Sequence, residues 1–281
     1  MTSAPIRELG LIAGKGAYPL LLAQSARQQG VQRIVAVAFR RETSREIARY
    51  VDELHWVYLG QLQPLLDRLR ASGVRQAVMA GQITPTHLFN VRFDKALLAL
   101  LSRLRERNAH SIFGAFGDEL KALGIELLPA HLFMEAAMPA AGPIGGRAPT
   151  DAEWQDIQLG LQVAKVTSGI EIGQTVVVKR GTILAVEAFE GTDEAIARAG
   201  RLGGPGAVVV KVAKQGHDMR FDIPVIGART LRSLRKARAA VLAVEAGRTI
   251  LLEREALAAE ADRMGLSMVA VESGAENKHD S

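Results

Sequence analysis

GLIAGKGAYPLLLAQSAR, Gly10–Arg27, puts three signals end to end. An apolar step closes at Ala13, a glycine turn follows at Gly14-Lys15-Gly16, and a helical period begins at Pro19. A strand that feeds a helix through a glycine turn opens a βα unit. The pattern then recurs. Apolar strands are expected at Leu9–Ala13, Ile34–Ala38, Leu54–Tyr58 and Ala77–Ala80, with helical periods at Pro19–Gln29, Arg45–Tyr50 and Leu62–Ser72. Strands joined by helices run parallel, and right-handed crossovers wind them into an open, doubly wound sheet. A helical tract at Phe93–Arg107, a further helix at Ala115–Leu123 and a strand at Ile125–Leu128 extend this first half.

The glycine turn sits where backbone N–H groups can face an anion. It begins like a dinucleotide-binding fingerprint, but the third glycine position is Pro19. The second strand ends in Arg40 and Arg41 instead of a ribose-binding acid, which argues against a nicotinamide site. A ligand-facing turn and a purely structural one stay open for Gly14 and Gly16. Gly81, in MAGQITP, ends another strand of the same half. In an open α/β sheet both turns belong to one edge, where ligands bind.

The bulk composition sets limits. The chain has 281 residues, 48% hydrophobic and 23% charged, enough for two ordinary domains with sizeable cores. Aromatics are only 5%, so the core is built from Ala, Val, Leu and Ile. There is no cysteine, which excludes disulfides, thiolate nucleophiles and cysteine-based metal centres. The beginning lacks a signal-peptide core, and no apolar run is long enough to span a membrane, so a cytoplasmic protein is expected. The net charge of +5 and pI of about 9.7 are compatible with anionic partners. Basic residues gather in RTLRSLRKAR, Arg229–Arg238, either as a solvated helix face or as a phosphate- or membrane-facing one. No RNA-binding motif, stacking set or zinc finger accompanies it, so nucleic acid is not expected.

MPAAGPIGGRAPTD, Met138–Asp151, is rich in Pro and Gly and reads as a linker. Four segments are expected: an N-terminal Rossmann-like domain over 1–137, a linker over 138–150, a C-terminal catalytic α/β domain with a mixed sheet over 151–273, and a disordered tail over 274–281. In the second half a helix is expected at Trp154–Ser168, then a hairpin of Thr175–Lys179 and Leu184–Glu187 around RGT. Helix Asp193–Leu202, strand Ala207–Val212, basic helix Arg229–Arg235, strands Ala239–Val244 and Thr249–Leu252, helix Glu253–Met264 and strand Met268–Val271 follow.

Two stretches carry candidate chemistry. EAFEGTD, Glu187–Asp193, holds three carboxylates, Glu187, Glu190 and Asp193, more acid than a helix cap requires. KQGHDMRFDIPVIG, Lys214–Gly227, alternates polar and apolar residues. If extended, Asp218, Arg220 and Asp222 share one face while Met219, Phe221 and Ile223 are buried on the other. The two Asp Cα atoms then lie about 13 Å apart, too far to share one metal unless the segment bends. Paired carboxylates beside Lys and Arg suit a hard cation plus a phosphate, but equally a surface salt-bridge ladder; spacing leaves both open. The six histidines show no metal-binding spacing.

Taken together, GLIAGKGAYPLLLAQSAR, VMAGQITP, AVEAFEGTD, VVVKVAKQGHDMRFDIPVIG and AVEAG resemble the LpxI-type UDP-2,3-diacylglucosamine pyrophosphatases of bacterial lipid A synthesis. The blocks keep the family's order over about residues 9 to 271. The resemblance implies hydrolysis of the substrate's pyrophosphate by water attack at the α-phosphorus, giving UMP and 2,3-diacylglucosamine 1-phosphate, with a divalent cation such as Mg²⁺ or Mn²⁺. It also implies two domains enclosing a lipid-linked substrate, and a homodimer. Extraction of such a substrate from the cytoplasmic membrane face adds the hypothesis of peripheral, transient binding to that anionic surface by the Arg229–Arg238 helix. Carried onto this sequence, it makes Asp218 and Asp222 the metal-binding or water-activating residues. Lys211, Lys214 and Arg220 match basic positions that neutralise the diphosphate. Glu190, Gly191, Thr192 and Asp193 match the phosphosugar block, and Gly14 and Gly16 the N-domain turn. His217 stands where the family pattern has Gln, and residues 108–138 depart from that pattern. The competing class is a non-catalytic two-lobed α/β protein that binds a nucleotide or lipid.

Overall fold

The computed structural model describes residues 5–83, 92–106, 108–214, 218–221 and 223–272. The chain divides into two compact units, residues 1–134 with 218–222, and residues 135–217 with 223–281. Each is an α/β unit.

In the first unit the order is β1 (Glu8–Ala13), α1 (Tyr18–Gln28), β2 (Arg33–Phe39), a 3₁₀ turn at Arg45–Arg49, β3 (Glu53–Val57), α2 (Leu62–Ser72), β4 (Gln76–Ala80), α3 (Lys95–Ser102), α4 (Ala109–Ala122) and β5 (Glu126–Leu127). The sheet order is β3-β2-β1-β4-β5, parallel throughout. Its central strands are near-continuous apolar runs because helices cover both faces. Leu9, Leu11, Ile34 and Val78 are fully buried. Helix ends are set by local chemistry: Asp94 accepts from the Leu97 N–H, Asn108 accepts from the Ser111 N–H, and α2 stops at Gly73 in the left-handed region. Strand order reverses between β1 and β4, the switch point at which open α/β sheets present a crevice.

The second unit runs from a 3₁₀ turn at Glu135–Ala137 through β6 (Gly142–Gly145), α5 (Asp151–Gly169), β7 (Thr175–Lys179), β8 (Thr182–Val186), α6 (Thr192–Gly203), β9 (Val208–Lys211), β10 (Val225–Ile226), α7 (Ala228–Ala237), β11 (Val241–Glu245), β12 (Ile250–Leu251) and α8 (Arg254–Met264) to β13 (Ser267–Val271). The main sheet has the order β6-β13-β11-β9-β7-β8 and is mixed: β9, β11 and β13 are parallel, while β6, β7 and β8 run against their neighbours. Ile157 and Ala164 of α5 pack on one face, against Val176, Val178, Val208 and Val210. Ile196 of α6, Leu231 and Leu234 of α7, and Leu257 and Ala261 of α8 pack on the other. The β7–β8 hairpin turns at Arg180 and Gly181, both at positive φ, and the buried Asp156 of α5 accepts from both their N–H groups at 2.8 and 2.7 Å. Thr150 and Glu153 form a capping box that starts α5.

Three expectations are corrected. The stretch 138–150 is no bare linker: β6 lies inside it and pairs antiparallel with β13. It is an edge strand, where Pro143 removes no needed hydrogen bond. Asp218–Asp222 groups with the first unit and not with the C-terminal domain expected over 151–273. The alternation around Asp218 does not make a strand either. Residues 219–221 form a turn in which the Phe221 N–H donates to the Asp218 carbonyl at 3.2 Å. The Asp218 carboxylate takes the Arg220 N–H at 3.0 Å, so local side-chain bonding wins over periodicity. The expected tail lies outside the described residues. No helix among the described residues is long and apolar enough to cross a membrane.

Candidate functional site

In the first unit, the switch point is closed by backbone. The Gly14 N–H donates to the Ala80 carbonyl at 2.8 Å, and Lys15 and Gln82 exchange hydrogen bonds at 2.7 and 3.1 Å. A Cβ on Gly14 would lie 2.7 Å from the Gln82 oxygen, and one on Gly81 (φ 93°) would lie 2.8 Å from the Lys15 oxygen. Glycine is therefore required at both positions so that two strand ends can touch. The N–H groups of Gly14 and Lys15 are spent inside the protein. Gly16, at φ 100°, faces open space and leads into α1, whose N-terminus has no side-chain cap.

Asp218 and Arg220 lie together in the turn that joins this unit. Arg220 Nε reaches Asp218 Oδ1 at 2.9 Å and Oδ2 at 3.0 Å, and Nη2 reaches Oδ2 at 2.5 Å. The bond to Asp218 pushes the Arg220 guanidinium above its ordinary value, against the opposing effect of burial, with Asp118 adding to the rise. The turn is seated by residues of the segment 108–138. Met219 O accepts from the Ala130 N–H at 2.7 Å, and the Phe221 ring packs 5.4 Å from Phe113 beside the core. Asp222 and His217 lie outside the described residues.

In the second unit, chemistry gathers where β9 ends. Lys211 is only 8% exposed, and its ammonium donates to Thr192 Oγ1 at 2.7 Å. Thr192, the first residue of α6, donates in turn to Glu187 Oε1 at 2.9 Å, with Thr175 Oγ1 3.4 Å away. Glu187 Oε2 is buried and has no hydrogen-bond partner among the described residues. A buried ammonium, a helix start and a carboxylate with one open oxygen form a compact polar cluster. The cation and the helix start suit phosphoryl oxygens, and the open oxygen suits a hydroxyl or amide donor.

The remaining predicted residues are structural neighbours of this cluster. Gly191 caps α6 at φ 85°. Asp193 accepts from Ser233 at 2.8 Å and pairs with Arg229 at 2.5 Å, tying α6 to α7. Glu190 pairs with Arg198 at 2.6 Å. Burial pushes its carboxyl up, but the Arg198 hydrogen bond and backbone N–H groups outweigh that and hold it below the usual range. Lys214 forms an ion pair with Glu171. Glu187 and Thr175 join the cluster without having been singled out as binding residues. Only the excess of acid in EAFEGTD hinted at the first.

Metal ligation finds little support in these residues. Among the described residues no group of three or more His, Asp or Glu side chains can hold an ion. Arg220 already engages both oxygens of Asp218. On the basic helix, Arg229 and Arg235 have acidic partners in Asp193 and Glu260. Arg232, Lys236 and Arg238 are exposed, and no ion pair involves them among the described residues.

Comparison with known proteins covers both units. The LpxI N-terminal domain family matches residues 8–137, and the LpxI C-terminal domain family matches residues 140–269. The UDP-2,3-diacylglucosamine pyrophosphatase LpxI of Caulobacter vibrioides is 31% identical over 278 residues, covering 95% of this chain and 98% of that one. Among solved structures, the ADP complex of purK, N5-carboxyaminoimidazole ribonucleotide synthetase, aligns at 11% identity and a TM-score of 0.29, over 74% of this chain and 48% of that one. A likeness that low decides nothing about fold or function.

Proposed function

The chain belongs to the LpxI family, and from that premise we propose that it hydrolyses the pyrophosphate of UDP-2,3-diacylglucosamine in lipid A biosynthesis. The products are UMP and 2,3-diacylglucosamine 1-phosphate. The observation that carries this reading is 31% identity, over 95% of this chain, to a UDP-2,3-diacylglucosamine pyrophosphatase. In the proposal Lys211 and the first turn of α6 receive phosphoryl oxygens, where a preset buried cation stabilises the charge that builds up as the P–O bond breaks. Glu187 Oε2 accepts from a donor group of the substrate. Taken by itself, the family resemblance assigns water activation to the Asp218 carboxylate, which Arg220 holds by both oxygens.

Asp218 with both oxygens engaged is a poor cation site, and no step is routed through a metal. A divalent ion enters the proposal as one carried by the diphosphate, because Mg²⁺ takes many of its ligands from water and phosphate. The exposed cations of α7 support a further part of the reading, transient binding to an anionic membrane surface that holds the substrate. Sedimentation with vesicles containing acidic lipid should fall when Arg232, Lys236 and Arg238 are changed to Glu; unchanged sedimentation removes this part.

The experiment is UMP release from UDP-2,3-diacylglucosamine, with and without EDTA, by wild type and by Asp218→Asn. Wild type is expected to release UMP, and Asp218→Asn to lose about 10²–10⁴-fold in kcat with an intact fold. A silent wild type sinks the function, whereas an active Asp218→Asn sinks only the role of that residue. Running the assay in ¹⁸O-water reports which phosphorus is attacked. Label in UMP means the α-phosphorus, which the family resemblance implies, and label in the sugar phosphate means the β-phosphorus.

A further inference from the structure

α4 contains two glycines, Gly114 and Gly117, in AHSIFGAFGDELKA. Glycine inside a helix costs stability, so each of the two needs a reason. Neither has a positive φ, so the backbone does not demand it. Their surroundings separate them. Among the described residues, a Cβ on Gly114 would meet nothing within 4 Å. A Cβ on Gly117 would lie 3.1 Å from Arg220 Nη1, with Leu127 Cδ2 at an ordinary 3.7 Å. The tight neighbour of the buried Gly117 is therefore the guanidinium that holds Asp218.

The turn meets one face of α4. Phe113 and Gly117 stand four residues apart, so they lie one above the other on the helix. The Phe221 ring packs 5.4 Å from Phe113, and the Arg220 guanidinium sits against Gly117, 5.8 Å from the Phe221 ring centre. The charged form of Arg220 is favoured first by the Asp218 hydrogen bond and further by the charge of Asp118, the next residue of α4. All these residues belong to the first unit. With Nη1 at the glycine, Nε and Nη2 hold the Asp218 carboxylate at 2.9 and 2.5 Å. A guanidinium is one rigid plane, so a side chain pressing on Nη1 also turns the other two donors.

We propose that Gly117 is a positioning residue: its missing side chain seats Arg220 and thereby fixes the direction of the Asp218 carboxylate. The proposal rests on the reading that Asp218 acts in the hydrolysis. Displacing a reacting group by about 1 Å is enough to cost about 100-fold in rate, so disturbing the seat lowers kcat more than it raises KM.

The test compares Gly117→Ala and Gly117→Met with Gly114→Ala and Gly114→Met. Ala and Met are both better helix formers than glycine, so a weakened helix cannot explain a loss. UMP release, a thermal melt, and the Arg220 Nε–H signal of ¹⁵N-arginine-labelled protein are measured on each. That signal is assigned by its loss in Arg220→Lys. The kcat is expected to fall about 3–10-fold in Gly117→Ala and about 10–100-fold in Gly117→Met, with smaller changes in KM. The Nε–H signal should shift in both, while the Gly114 variants keep the wild-type kcat and signal. In the Arg220→Lys background Gly117→Ala should cost nothing more, because the atom it presses on is gone. Wild-type kcat in both Gly117 variants, or a loss that persists in full beside Arg220→Lys, would overturn the positioning role. An unmoved Nε–H signal in both would overturn the seat itself. If Gly117→Met does not fold, Gly117→Ala carries each comparison. If wild type releases no UMP, the function fails on its own, and the Nε–H signal still decides the seat.

Discussion

The carboxyl ends of the parallel strands are finished differently in the two units. In the first, β1 and β4 meet at Gly14 and Gly81, and the crevice that strand reversal offers is closed by main-chain hydrogen bonds. In the second, β9 and β11 end in side-chain charge, Lys211 and Glu245, both buried. A parallel α/β edge is therefore not a ligand site by topology alone. What matters is whether its polar groups are consumed by the backbone or held by side chains that a ligand can engage. The N–H groups of Gly14 and Lys15 are consumed, whereas among the described residues the acceptor of Lys211 is a neutral hydroxyl.

The largest effect expected from this contrast is on turnover. Lys211→Met should lower kcat/KM by about 10²–10³-fold, as removal of one preset charge-stabilising donor does elsewhere. It should leave the melting transition in place, and UMP release beside a thermal melt reads both. A variant that simply unfolds would show that Lys211 is structural and erase the difference between the edges. Gly81→Ala probes the other edge. It forces a Cβ against the Lys15 oxygen at positive φ, so a stability loss of about 1–3 kcal/mol is expected in chemical denaturation. Loss of turnover without loss of stability at Gly81 would mean that this turn binds ligand after all.

A smaller effect should come from Thr150→Ala, which removes the capping box of α5 at a cost of about 1 kcal/mol, with kcat unchanged. Smallest of all is a pH effect beside it. The Arg147 hydrogen bond is the main cause that holds the Glu153 carboxyl below its usual range, against the opposing effect of burial. A depressed carboxyl adds stability that is present above its unfolded value and is lost as pH falls through the folded one. Glu153→Gln should therefore lower stability at neutral pH and flatten the acid limb, so that its stability-against-pH curve meets that of wild type at low pH.

The first unit was largely legible in the sequence. Leu62–Ser72 is a helix as expected, and the strands around Leu11, Val35 and Val78 fall within a residue or two of their apolar runs. Buried parallel strands and capped helices carry local signals strong enough for that. The expected helix Phe93–Arg107 is shorter, Lys95–Ser102, because Asp94 caps it at the start. The turn at Asp218 was not legible, since Asp218, Arg220 and Asp222 alternate as a strand would. Only the carboxylate folding back on the Arg220 N–H undoes that pattern. Nor could spacing join Lys211 to Thr192, or Glu245 to Ala213, because those contacts arise only when α6, β9 and β11 assemble.

The account turns on which bond breaks, and product analysis decides it. Wild-type protein incubated with UDP-2,3-diacylglucosamine should yield UMP and 2,3-diacylglucosamine 1-phosphate in equal amounts, with Lys211→Met slowing both together. Release of UDP with the free diacyl sugar, or no product at all, would contradict it.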